Sequence, residues 1–145
     1  SSAASDVYKR QDHFSIVHST MDSPRYWGYV QDASDAAANF TYQSTNLCFH
    51  GHTHVPQMFI DDGEEIHHGS FTEPLKLQIG NRYFINVGSV GQPRDGDPRA
   101  AYCIYDSEEE TVELFRLDYD IETTKAKIRE AGLPERLAER LDYGK

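Results

Sequence analysis

After Pro56 the chain breaks into short runs of alternating or continuous apolar residues: "QMFID", "LKLQIG", "RYFINVG", "AAYCIYD" and "TVELFRLD". Pairs such as Asp62-Gly63 and Gly80-Asn81 punctuate them. Runs this short cannot complete a helix with a buried face. Val, Ile, Tyr and Phe at strand spacing, closed by turn residues, dictate β-structure. The simplest arrangement is a meander of antiparallel pairs. The acidic "YDSEEETVE", Tyr105–Glu113, reads as a solvated hairpin tip.

The first half has a different texture. "HFSIVH" (His13–His18) is a short apolar strand ending on a histidine, and "STMDSPRYWGYV" is a loop carrying the lone Trp27. "DASDAAANFTY", Asp32–Tyr42, spaces its alanines and Phe40 helically, with Asp32 or Ser34 as N-cap. "LCFH" (Leu47–His50) is then a buried strand. From Ile121 the period is helical again: Ile121, Ala126 and Ile128 precede a stop at Gly132. A second helix starts at Pro134, with Leu133, Leu137 and Leu141 four apart. The pattern predicts an α/β fold, α+β-like over this stretch, with two C-terminal helices.

The opening "SSAASDVYKRQ" has no period and no apolar face, and it resembles translated sequencing-adapter read-through. Residues 1–11 are therefore set aside as a non-native tail, and the fold is expected to occupy residues 12–145. With 145 residues the chain is of single-domain size. The formal net charge of −10 opposes contact with phosphate backbones, so non-specific nucleic-acid binding is not expected. No apolar run approaches membrane-spanning length. The two cysteines, Cys48 and Cys103, sit in apolar stretches, as buried thiols of a cytoplasmic protein would.

Chemistry concentrates in "LCFHGHTHVP" (residues 47–56), where His50, His52 and His54 crowd around Gly51. Extended backbone would project His52 and His54 from one face, with His50 on the same side. Gly51 would let the main chain approach a ligand closely. A bare H-x-H is a weak signal. Here it stands in an ordered set: "VHS" upstream, "GHTH" on a strand end, and "INVGSVGQPRDGDPRAAY" downstream.

That combination, from about His13 to Leu117, resembles the calcineurin-like metallophosphoesterase family, and most closely its small bacterial phosphodiesterase-like members. The resemblance implies the C-terminal portion of a helix-flanked β-sandwich with two divalent transition-metal ions at its edge. It places His18 and His52 on one ion and His54 on the other. Imidazole suits Mn, Fe or Zn. His50 and Gly51 are expected behind the ligands, and Asn86, Gly88 and Ser89 correspond to the family's "NPGS", with Val87 for the usual proline. Arg94 and Arg99 are candidates to face phosphate, or else to pair with Asp95, Asp97 or Asp106. Asp22, Arg25 and Trp27 are candidates to border the cleft. His67 and His68 read as hairpin residues.

The family's earlier motifs, D-x-H, G-D-x-x-D and G-N-H, are not found. Gly96-Asp97-Pro98-Arg99-Ala100 and Gly80-Asn81-Arg82 begin like two of them but lie after GHTH and end in the wrong residues. No bridging carboxylate and no general-acid histidine can be assigned. The N-terminal part of the domain is expected to be missing. The resemblance then implies phosphoester hydrolysis by the whole protein on a phosphorylated small molecule or nucleotide, with this stretch inactive alone. The alternative is a non-catalytic metal- or phosphate-binding scaffold.

Overall fold

The computed structural model describes residues 8–10 and 13–145. The first strands are β1 (Tyr8–Arg10) and β2 (Ser15–Val17), followed by helix α1 (Ala33–Tyr42) and β3 (Leu47–His50). The β-rich part holds β4 (Gln57–Asp61), β5 (Ile66–Gly69), β6 (Leu75–Lys76), β7 (Arg82–Asn86), β8 (Ala100–Asp106) and β9 (Thr111–Leu117). Helices α2 (Ile121–Glu130) and α3 (Arg136–Glu139) close the chain, the latter running into a 3-10 turn, Arg140–Tyr143.

The strands do not form one meander. Six make a mixed sheet in the order β1-β2-β3-β7-β4-β5, and three make a second sheet in the order β6-β9-β8. Strand β7 is the reason. Tyr83, Phe84, Ile85 and Asn86 are all buried, so β7 has two apolar faces and must lie centrally. It runs parallel to β3, pairing Leu47 with Tyr83 and His50 with Asn86, and antiparallel to β4. Strand β2 lies parallel to β3 on the other side.

Part of the tail set aside above joins this sheet: Tyr8–Arg10 pair antiparallel with Ser15–Val17. The rest of that tail, and Asp12, fall outside the described residues.

The alternation along β3, β4 and β7 sorts the core into two layers. Cys48, Phe59 and Phe84 face α1 with Val17, Val30, Ala36 and Phe40. Leu47, Tyr83 and Ile85 face the second sheet, meeting Phe71 and Val112 with Met58, Leu75, Cys103 and Leu114 around them. Each fully buried Phe or Leu contributes about 1.5–3 kcal/mol, and the sheet collects such residues on both sides. The product is a helix–sheet–sheet sandwich. The two thiols lie in opposite layers and are free.

Helix α1 starts where Asp32 accepts a hydrogen bond from the Asp35 amide at 2.9 Å. Between α2 and α3, Gly132 turns the chain at φ +67°. In the last segment Ala138 and Leu141 are the buried positions, while Leu133, at the start of the leucine stripe, is half-exposed. Lys125 ties α2 to the C-terminal turn through Asp142 at 2.8 Å. Among the described residues no helix is long and apolar enough to cross a membrane.

Candidate metal centre

The parallel strands β2 and β3 end side by side, and a main-chain bond from the Gly51 amide to the His18 carbonyl, 3.1 Å, joins the two ends. That bond sets the site, because it brings His18 and His52 together although 34 residues separate them. His18 Nε2 and His52 Nδ1 are 3.1 Å apart, with ring centroids 5.0 Å apart and planes at 66°.

The GHTH segment is not extended. His52 and His54 have φ of +68° and +63°, left-handed positions that cost a non-glycine residue about 1–2 kcal/mol each. Trp27, at +56°, is a third. Backbone strain of this kind collects at functional sites. Because of it His52 and His54 do not project together. His52 turns toward His18, whereas His54 Nδ1 lies 2.7 Å from the Gln92 carbonyl. A carbonyl only accepts, so Nδ1 carries the proton and Nε2 keeps its lone pair, the orientation seen in metal-binding histidines.

His50 belongs to the core beneath them. It is buried and stacks on Phe84, centroids 4.0 Å apart and planes at 14°. Burial pushes its pKa down to about 3, so it is a neutral ring beneath the loop. Burial, with lesser repulsion from neighbouring His18 and Arg94, also lowers the pKa of His52. That of His54 falls through burial first, then through Arg94 and Arg140.

Asn86 holds the loop from below. Its Nδ2 donates to the Gly51 carbonyl at 2.7 Å and to Thr53 Oγ1 at 2.9 Å, and its Oδ1 accepts from the Gly88 amide at 2.9 Å. The Ser89 hydroxyl accepts from the Gly91 and Gln92 amides, at 3.3 and 3.0 Å, shaping the turn that delivers the Gln92 carbonyl to His54. A Cβ on Gly51 would meet only the His18 carbonyl oxygen at 3.8 Å, an ordinary contact, so nothing within this chain demands glycine there. Gly88 is different: it sits at φ +77°, with Pro56 and Ala101 2.7 Å from where a Cβ would stand.

The arginines divide. Arg99 closes on Asp97 at 2.6 Å, and Arg116 pairs with Asp95. Arg94 has no carboxylate partner among the described residues; it holds Gln92 Oε1 through Nε and Nη2 at 3.1 and 2.7 Å. Trp27 stands over the pair, its ring 4.6 Å from His18. Asp22 is exposed and lines a separate hollow with Ser23 and Tyr26, and Arg25 is exposed. His67 bonds Asp62 at 2.8 Å, while His68 stacks on Phe59, 4.4 Å between centroids. Sequence reasoning did not find Gln92, Thr53 or Tyr29, whose ring lies 4.5 Å from His52. No periodicity or motif marks them.

Two nitrogens bound to one ion at about 2.0–2.1 Å each, at an angle between 90° and tetrahedral, lie about 2.9–3.4 Å apart. The His18–His52 separation falls inside that window. Among the described residues, however, no three His, Cys, Asp or Glu side chains gather closely enough to hold an ion. The residues present therefore fit part of a metal centre: a two-nitrogen bite at one point and a single nitrogen at another.

The comparisons with known proteins agree with this architecture. Residues 2–110 match the calcineurin-like phosphoesterase superfamily domain, and the chain belongs to that family. The metallophosphoesterase from Sphaerobacter thermophilus superposes with a TM-score of 0.86 at 43% identity, over 96% of this chain and 58% of that one. The hypothetical protein PH1004 from Pyrococcus horikoshii, 16% identical with a TM-score of 0.69 over 96% of this chain and 51% of that one, shares the fold. The uncharacterized protein MJ0912 of Methanocaldococcus jannaschii is 37% identical over 129 residues, 88% of this chain and 50% of that protein. The chain thus spans about half the length of the curated relative it matches.

Proposed function

We propose that these residues form the histidine-bearing side of a two-metal phosphoesterase site, and that the whole protein hydrolyses phosphomonoesters or phosphodiesters. His18 and His52 would share one ion and His54 would bind the other, the ions being Mn, Fe or Zn by the nitrogen-rich donor set. Such ions, when bound, activate a water and neutralise the phosphoryl oxygens. The chain's own residues orient and isolate. Asn86 fixes the loop, Gln92 sets the His54 tautomer, and Arg94 presents donors to a phosphoryl oxygen.

Carboxylates to bridge two ions would come from a part of the protein outside these residues, the domain's N-terminal portion. These residues would then be the C-terminal portion of one domain, working in the cytoplasm. These residues alone would be inactive or nearly so.

The observation that carries this reading is the 3.1 Å bite of His18 and His52. Calorimetric titration of the chain with Mn²⁺ or Zn²⁺ tests it, alongside His18→Ala and His52→Ala, with hydrolysis of bis-p-nitrophenyl phosphate followed in parallel. Binding that either substitution abolishes, without turnover, is the expected result. Metal affinity indifferent to both substitutions overturns the ligand assignment. Turnover matching that of a full-length relative overturns the inactivity.

A further inference from the structure

Helices α2 and α3 and the 3-10 turn lie beyond residues 2–110, the stretch that matches the family domain, and supply none of the three histidines. They end, however, against the loop that carries Gln92. Ala138 and Leu141 are buried, and Lys125 holds Asp142 at 2.8 Å, so the turn is fastened before it reaches that loop. Gly144 closes the turn from a left-handed position at φ +61°, its amide donating to the Arg140 carbonyl.

Gly144 meets the loop main chain to main chain. Its carbonyl accepts from the Gly96 amide at 2.9 Å. A Cβ at Gly144 would stand 2.7 Å from Asp97 C and O and 2.8 Å from its N. Those are backbone atoms that cannot rotate aside, so this approach requires glycine.

The same loop holds His54. The Arg94 amide donates to the His54 carbonyl at 3.1 Å, and the Gln92 carbonyl accepts from His54 Nδ1 at 2.7 Å. Contacts at Gln92, Arg94 and Gly96 thus run from the histidine to the C-terminal turn. The Arg140 charge is felt at His54, where it adds to burial and Arg94 in lowering the pKa. Arg116 also holds the loop, pairing with Asp95 and standing 3.8 Å from Asp97, but it grips side chains and leaves the main chain to Gly144. His18 and His52 depend on a different bond, the one from the Gly51 amide to the His18 carbonyl.

Building on the reading of His54 as a metal ligand, we infer that the C-terminal turn is a strap that orients this histidine. Gly144 is a positioning residue: it seats residues 92–97 so that the Gln92 carbonyl holds the His54 ring with Nε2 free. The His18–His52 pair does not depend on the strap, so the two halves of the site can be loosened separately.

The test needs no metal. In the isotope-labelled chain at about pH 8 in EDTA, where an imidazole is neutral, long-range proton–nitrogen correlations show which ring nitrogen carries the proton. His54 should be protonated at Nδ1 in the wild type. Gly144→Ala adds a wedge, and a chain ending at Tyr143 removes the seat without one. Both should move the His54 proton toward Nε2 and leave the His18 and His52 signals in place. Both should also speed hydrogen exchange at the Arg94 amide by about five-fold or more, the net worth of one hydrogen bond. Gly132→Ala is the control: at φ +67° in the same segment, with nothing within 4 Å, it carries the backbone cost without the contact and should leave His54 unchanged.

Circular dichroism confirms that each variant is folded, and calorimetry with Mn²⁺ is run on the same chains. A His54 proton on Nε2 in the wild type, on Nδ1 in both Gly144 variants, or displaced equally by Gly132→Ala overturns the inference. A His54 tautomer that follows Gly144 in a chain that takes up no Mn²⁺ upholds the strap and removes only the ligand reading.

Discussion

Replacing Gly88 with alanine should be among the most damaging single-methyl changes at the described residues. Two effects add there. The backbone at φ +77° disfavours any L side chain, by about 1–2 kcal/mol. The new methyl would also stand 2.7 Å from both Pro56 Cγ and Ala101 Cβ, closer than carbon atoms pack. Neither neighbour is the far end of a flexible side chain, so relief requires the main chain to shift, and overpacking of this kind costs about 1–3 kcal/mol. The sum is about 2–5 kcal/mol, a large share of the roughly 5–15 kcal/mol that stabilises a domain. At about 2–4 °C per kcal/mol for a chain of this size, Tm should fall by about 4–20 °C.

Gly63→Ala provides the control. Gly63 has φ +91° with nothing within 4 Å, so it isolates the backbone penalty from the contact. Thermal unfolding followed by circular dichroism should rank the chains wild type, Gly63→Ala, Gly88→Ala. The site should feel the change too, because Pro56 follows the histidine loop directly and the Gly88 amide is bonded to Asn86. If Gly88→Ala melts no lower than Gly63→Ala, the packing argument is wrong.

Asn86→Leu keeps the branching at Cγ and removes three hydrogen bonds at a fully buried position; chemical denaturation should show a loss of about 2–4 kcal/mol, and metal affinity by calorimetry should fall about 10–100-fold. An unchanged midpoint would mean that Asn86 does not hold the loop. His67 has its pKa raised by the hydrogen bond to Asp62, so its contribution to stability is complete below the unfolded-state value near 6.5 and is lost as pH rises through the folded value. An NMR titration should find His67 above the ordinary histidine range and returned toward it in Asp62→Asn; an ordinary value in the wild type would refute the pairing. Both thiols are pushed up to about 12 by burial, so the native chain at pH 8 should be inert to a disulfide reagent and release two equivalents only on unfolding. Early reaction of either cysteine would contradict the packing.

The sequence and the structure agree best where local chemistry alone decides. Helix α1 could be read because Asp32 caps it and its alanines keep the helical period. Strands β3, β7, β8 and β9 could be read because apolar residues run or alternate over their length. Strand order could not. That β7 inserts between β3 and β4 depends on both its faces being buried, which emerges only once three layers are assembled.

At the site, the ordered histidines were legible, and His18 and His52 lie 3.1 Å apart. The left-handed turn at His52 and His54 was not, since it breaks the extended geometry that a strand end suggests. Gln92 escaped notice because it acts through its carbonyl, a group every residue has. Tyr29 escaped because position, not residue type, sets it apart.

The left-handed backbone at residues 52 and 54 has an evolutionary corollary. Glycine or asparagine would rest there with less discomfort than histidine. A library screened only for survival at high temperature should drift toward those two residues at both positions, shedding imidazoles as it hardens. One selected for catalysis in the whole protein should hold them fixed, so the two regimes ought to part first at this tetrapeptide.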